Sequence, residues 1–243
     1  MGFVGERKAL AAAILAFYML LYLIAALLGP PGDGFRPFLS AMGLLYGTAF
    51  FALVAGYFWA RWFAIGLGIY GLILGVMAVW QVGPVPEILF LGGTHGLISL
   101  ALWGDKVATH YDGRTEWRSR FHMDENATRR LGKAVIRVGI SLPILIAYGL
   151  APRDSMVDTL VCAAAVGLVG VGVWGFLRLR TWGLVVMICG AAAVLGTIGI
   201  TEQLVALGRN TALDLSLNGT LGAVVLLLAA LPFAGPIARY VRS

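Results

Sequence analysis

The sequence predicts an all-α fold, a polytopic bundle of membrane-crossing helices, and three observations carry that reading. Of its 243 residues, 60% are hydrophobic and 12% charged, about half the charged fraction of a soluble domain. The apolar residues gather in eight segments, each near the ~20 residues that a hydrocarbon core requires. Lysine and arginine concentrate in alternate connections, as the positive-inside rule demands.

The first segment, residues 9–29, follows Arg7 and Lys8 in the manner of a signal peptide. It is too long for a typical signal h-region, and the LLGPPGD after it is no small-x-small cleavage site, so a retained helix is expected. Pro30-Pro31-Gly32 breaks the chain where an outer turn is needed. The second and third segments, 38–60 and 62–81, meet at Ala60 and Arg61, a turn so short that the two helices must be antiparallel neighbours. Gly83-Pro84 separates the third from the fourth, 86–103. After a long connection come 134–150, 156–177, 181–204 and 213–233, the sixth and seventh joined tightly at Arg178–Arg180.

With a cytoplasmic N-terminus, 15 of the 18 Lys and Arg fall inside, leaving Arg36, Arg153 and Arg209 outside. An odd number of crossings would strand a basic end outside, so eight spans with both termini cytoplasmic are expected. The implied location is the inner membrane of a bacterium. The expected organisation is a four-helix unit over 1–104, a basic amphipathic cytoplasmic loop over 105–130, and a second four-helix unit over 131–243.

The two units read as pseudo-repeats. Lys8-Ala9 pairs with Lys133-Ala134, Pro31-Gly32-Asp33 with Pro152-Arg153-Asp154, Trp62 with Trp182, and Gln81 with Gln203. Finally Gly-Gly-Thr-His-Gly at 92–96 pairs with Asn-Gly-Thr-Leu-Gly at 218–222. These landmarks keep their order, at separations between 120 and 126 residues. A unit of four spans returns the chain to the same side, so the halves would be parallel rather than inverted repeats.

One copy of the last pattern is ionisable. His95 lies about 13 Å below the outer boundary at 1.5 Å per residue, close to mid-bilayer, with Thr94 beside it and Ser99 one turn on. Intramembrane polar residues face the bundle interior. His95 is therefore either a contact for a quinone, a haem iron or a proton path, or a neutral imidazole bonded to a neighbouring helix. Gln81, Glu202 and Gln203 sit near the outer interface, where they serve as anchors or line a polar vestibule. Gly43/Gly47, Gly71/Gly75 and Gly92/Gly96 have the small-xxx-small spacing that lets helices approach closely, and Ser216/Thr220 has it in the second half. Cys162 and Cys189, inside apolar runs, read as small buried hydrophobes.

In the connecting loop, Trp117 and Phe121 with Arg118 and Arg120 suit a surface helix whose arginines meet phosphates. Arg129, Arg130 and Arg137 extend the same headgroup-binding character into the next segment, which Asp124 is placed to cap. The two His-x-Asp pairs at 110–112 and 122–124 have metal-ligand types, but the surrounding arginines oppose a cation, so no metal is expected. No cofactor is implied, and Walker, Gly-x-Ser-x-Gly and His-Glu-x-x-His motifs do not occur.

The expected function is that of a non-catalytic accessory or assembling subunit, packed against lipids and against other membrane subunits or its own copies, with no nucleic acid. The alternative is a small-solute transporter or channel running between the halves, and after it an enzyme acting on lipid or quinone through His95.

Overall fold

The computed structural model describes residues 4–29, 34–112, 124–153, 155–205 and 212–242. These form nine helices: α1 (Val4–Leu28), α2 (Arg36–Ala55), α3 (Ala60–Val82), α4 (Pro86–Leu102), α5 (Asp105–Asp112), α6 (Glu125–Leu150), α7 (Met156–Leu177), α8 (Thr181–Val205) and α9 (Ala212–Arg242). Seven of the described helices are long and apolar enough to cross a membrane. The eighth apolar helix, α4, has 17 residues, about 26 Å at 1.5 Å each, against about 30 Å for a hydrocarbon core.

Local chemistry accounts for the ends. Pro86 stands in the first turn of α4, where its missing N–H costs nothing. Asp124 caps α6, its Oδ1 accepting from the Ala127 N–H at 2.6 Å. That cap starts α6 at Glu125, nine residues ahead of the apolar run that marks it in the sequence. Ser155 caps α7 by accepting from the Asp158 N–H.

The turns after α2 and after α7 share one geometry. After α2, Tyr57 N–H bonds to Ala52 O and Gly56 N–H to Leu53 O, with Gly56 at φ +75°. After α7, Arg180 N–H bonds to Gly175 O and Leu179 N–H to Phe176 O, with Leu179 at φ +58°. Both are Schellman motifs, in which a left-handed residue lets the next N–H reach back to a terminal carbonyl.

The chain divides into two compact units, residues 1–27 with 42–140, and residues 28–41 with 141–243. In the first, α3 is closely packed on two sides. Gly75 meets Gly92 of α4, and Gly68 meets Ser99 of α4, while Gly66 lies against Gly139 of α6. Gly43 and Gly47 of α2 face Leu23 and Met19 of α1. In the second unit the seam joins α7 to α8: Gly172 abuts Met187, Gly175 abuts Gly183, and Gly190 abuts Val169. Helices lacking side chains along a seam gain backbone contact, which drives association in lipid where the hydrophobic effect does not.

The outward faces are apolar. Leu20, Leu21, Ile24 and Leu27 of α1 are exposed, and only a minority of that helix's residues are buried. Water does not tolerate such a surface; a bilayer does. Cys162 is buried as expected, but Cys189 is exposed on α8, because a span that is apolar on every side does not reveal which face points inward.

Candidate functional site

His95 projects from α4 into the first unit and is 1% exposed. Gly71 of α3 makes its space, since a Cβ there would overlap the imidazole ring. The ring's Nδ1 lies 2.8 Å from Leu91 O. A carbonyl only accepts, so Nδ1 carries the proton and Nε2 of the neutral ring is an acceptor. Tyr46 of α2 fills that acceptor, its hydroxyl 2.6 Å from Nε2. Both ring nitrogens are thereby paired within the protein.

Aromatic rings enclose the imidazole. Tyr18 of α1 lies 4.3 Å from it, centroid to centroid, and Tyr22 stacks on Tyr46 at 5.5 Å. The Tyr18 hydroxyl is 2.6 Å from Thr94 Oγ1. Thr94 donates its own proton to Phe90 O at 2.7 Å, so Tyr18 is the donor between them. Ser99, one turn beyond His95, donates to Ile65 O of α3. Each polar side chain on this face of α4 thus ties it to another helix or to its own backbone. Each bond joins groups that would be costly to leave unmade in an apolar medium.

The second unit holds a smaller counterpart. Thr197 of α8 donates to Val194 O at 2.7 Å and accepts from the Tyr148 hydroxyl of α6 at 2.9 Å. The Cys162 thiol of α7 donates to the same Tyr148 oxygen. Arg153 closes the end of α6 by donating to Tyr148 O at 2.6 Å, a cation on terminal carbonyls.

Of the residues singled out in the sequence, the structure brings His95, Thr94 and Ser99 onto the inner face of α4. Gln81 is exposed at the end of α3 beside the exposed Trp80. Glu202 and Gln203 fall on α8, but their side chains lie outside the described residues, as do Arg118 and Arg120, Trp117 and Phe121. Arg130 is exposed and Arg137 half-buried on α6. Among the described residues no group of three His, Cys, Asp or Glu is placed to hold a metal. Tyr18, Tyr22, Tyr46 and Tyr148 were not foreseen. Their signal was a phenolic hydroxyl inside an apolar run, which must find a partner when buried.

A second feature occupies the opposite end of the first unit. A cavity of about 440 Å³ opens among the start of α3, the end of α4, α5 and the first turns of α6, and Arg61, Arg129 and Lys133 line it. Arg61 also reaches Leu102 O at 3.4 Å, and Arg7 donates to Leu100 O and Trp103 O, so guanidinium groups close the carbonyl end of α4.

Apolar helices of membrane-crossing length, outward apolar faces and polar side chains paired inside define a class: the multi-pass integral membrane protein. Comparison with protein-family models, curated proteins and solved structures finds no match.

Proposed function

We propose that the protein is a non-catalytic membrane subunit, an assembling element that packs against partner subunits or further copies of itself. The observation that carries this reading is the state of His95. A general base or a haem ligand needs a ring nitrogen open to substrate or iron, and a proton relay needs on each nitrogen a partner that can itself pass a proton on, which a backbone carbonyl cannot. Here one nitrogen is held by Leu91 O and the other by Tyr46. The histidine joins helices.

The same proposal includes eight crossings. The helix α3 is long enough to span, and α4 packs along it from Gly75/Gly92 to Ile65/Ser99. A partner matched over that length runs back through the same thickness, and an even count keeps the cations on the cytoplasmic side. Two parallel four-helix repeats are part of the proposal as well. Support comes from the paired Schellman turns, because Gly56 and Leu179 are separated by 123 residues, inside the interval that relates the sequence landmarks. The glycine seams differ, joining α3 to α4 in one unit and α7 to α8 in the other, so the kinship lies in the path of the chain rather than in its packing.

The test is the mass of the particle released from its native membrane by mild detergent, with flux measurements on the purified chain in vesicles. A defined assembly heavier than the 25.8 kDa chain is expected, and it should survive His95→Leu. A monomer that moves solutes across the vesicle membrane, and loses that flux in a folded His95→Leu variant, would replace the subunit by a carrier.

A further inference from the structure

We propose that the cavity beside the start of α6 is a binding site for the phosphate headgroup of an anionic glycerophospholipid. Three cations line it, Arg61 from α3 and Arg129 and Lys133 from α6, and among the described residues no carboxylate does. Glu125 pairs with Arg129 at 2.7 Å, but both side chains are more than two-thirds exposed, 73% and 71%. Such an i,i+4 surface pair is weak and gives way to a better anion.

The wall chemistry is that of an amphiphile. Apolar surface faces the same space: Ile136 is half-buried and Trp103 exposed, while Trp62 and Ile65 back the wall and are almost fully enclosed. A free phosphate ion would leave the Ile136 and Trp103 surface uncovered. A lipid covers it with glycerol and the first acyl carbons while its phosphate meets the cations. Trp103 stands exposed at the rim, as interfacial tryptophans do. Cationic pockets between helices at the cytoplasmic end are the recurrent form of anionic-lipid sites.

The site differs from the cluster the sequence suggested. Arg129 belongs to both, while Arg130 and Arg137 do not line the cavity and Arg61 and Lys133 do. Side-chain direction on α6 decides this, since Arg129 and Lys133 are one turn apart on a single face and Arg130 is turned from it. The cytoplasmic assignment of this end follows from the cation count and rests on the proposed topology. The lipid contact itself requires only that the end lie at a membrane surface.

The experiment is native mass spectrometry of the full chain in detergent, with phosphatidylglycerol, phosphatidylcholine or inorganic phosphate added. Phosphatidylglycerol should be retained in preference to phosphatidylcholine, and millimolar inorganic phosphate should not displace it. Each cation removed near the surface should weaken retention about fivefold, so Lys133→Gln loses about fivefold and Lys133→Gln with Arg129→Gln about twenty-fivefold. Arg130→Gln, outside the cavity, should change it less than about twofold. Ala108→Trp leaves every charge in place but fills the cavity, and it should weaken retention as well. Elution and melting behaviour matching wild type certify that each variant is folded. Equal retention of phosphatidylcholine, an unaffected double variant, an unaffected Ala108→Trp, or an equal loss in Arg130→Gln would overturn the site. Displacement by inorganic phosphate would identify the ligand as a free anion and overturn its lipid origin.

Discussion

The hydroxyl of Tyr46 on α2 and Nε2 of His95 on α4 lie 2.6 Å apart in a region closed to solvent. Each satisfies the other. Removing one partner leaves a buried polar group whose desolvation is no longer offset. Tyr46→Phe is expected to destabilise the protein by about 1–2 kcal/mol, and His95→Leu by a similar amount. The double variant should cost less than the sum, with a coupling of at least about 0.5 kcal/mol. Detergent-driven unfolding in mixed micelles measures all three. Additive losses would mean that the two groups do not share a bond.

Gly71 tests the notch that admits His95. A Cβ there would overlap the imidazole, whereas a Cβ at Gly93, on the same helix as His95, meets nothing within 4 Å. Forcing volume into a filled interior costs about 1–3 kcal/mol, so Gly71→Ala should destabilise by that amount and displace the ring. Gly93→Ala should be neutral or slightly stabilising, because alanine loses less backbone entropy in a helix. The pair is read by the same unfolding titration, with the histidine ring resonances of labelled protein as a second signal. Equal effects at the two glycines would remove the notch from the account.

The helices were legible in the sequence because eight apolar runs, broken by Pro, Gly and Arg, leave little else for the chain to do. Their packing was not. A run such as Ala9 to Gly29 is apolar on all sides, so period alone cannot tell that Tyr18 faces inward while Leu20 and Leu21 face out. The depth of His95 could be counted along α4, but its partners come from α1, α2 and α3, and nothing local in the sequence names them. The glycine pairs of α2, α3 and α4 fall at close contacts, since the absence of a side chain is visible in the sequence and close approach is its main use, but the glycines of the α7–α8 seam were not singled out. The cavity was half visible: Arg129 stood out by charge, while Lys133 and Arg61 joined it only once α3 and α6 were side by side.

Leu179 carries the backbone conformation that Gly56 carries in the other turn of the same geometry. A side chain in the left-handed region costs about 1–2 kcal/mol, and glycine escapes it. Leu179→Gly is therefore expected to stabilise the protein by about 1 kcal/mol, and Gly56→Leu to destabilise it by about as much. The melting temperature in detergent should move in opposite directions for the two variants. If Leu179→Gly lowers it, the half-buried leucine side chain contributes more by packing than its backbone loses.

The membrane map makes the most direct prediction. With Cys162 and Cys189 replaced by Ser, a single cysteine at Glu87→Cys reports the start of α4 and one at Glu125→Cys the start of α6. Glu125 is well exposed and holds only a surface ion pair, whose loss costs little. Both α4 and α6 should begin at opposite faces, because one apolar crossing and a cation-rich connection separate them. A maleimide that cannot pass the membrane should label Glu87→Cys in intact cells and spare Glu125→Cys until the cells are opened. Labelling of both in intact cells would mean that α4 does not cross. Labelling of Glu125→Cys alone would turn the protein over, placing 15 of its 18 cationic side chains on the face that the charge rule reserves for the fewest.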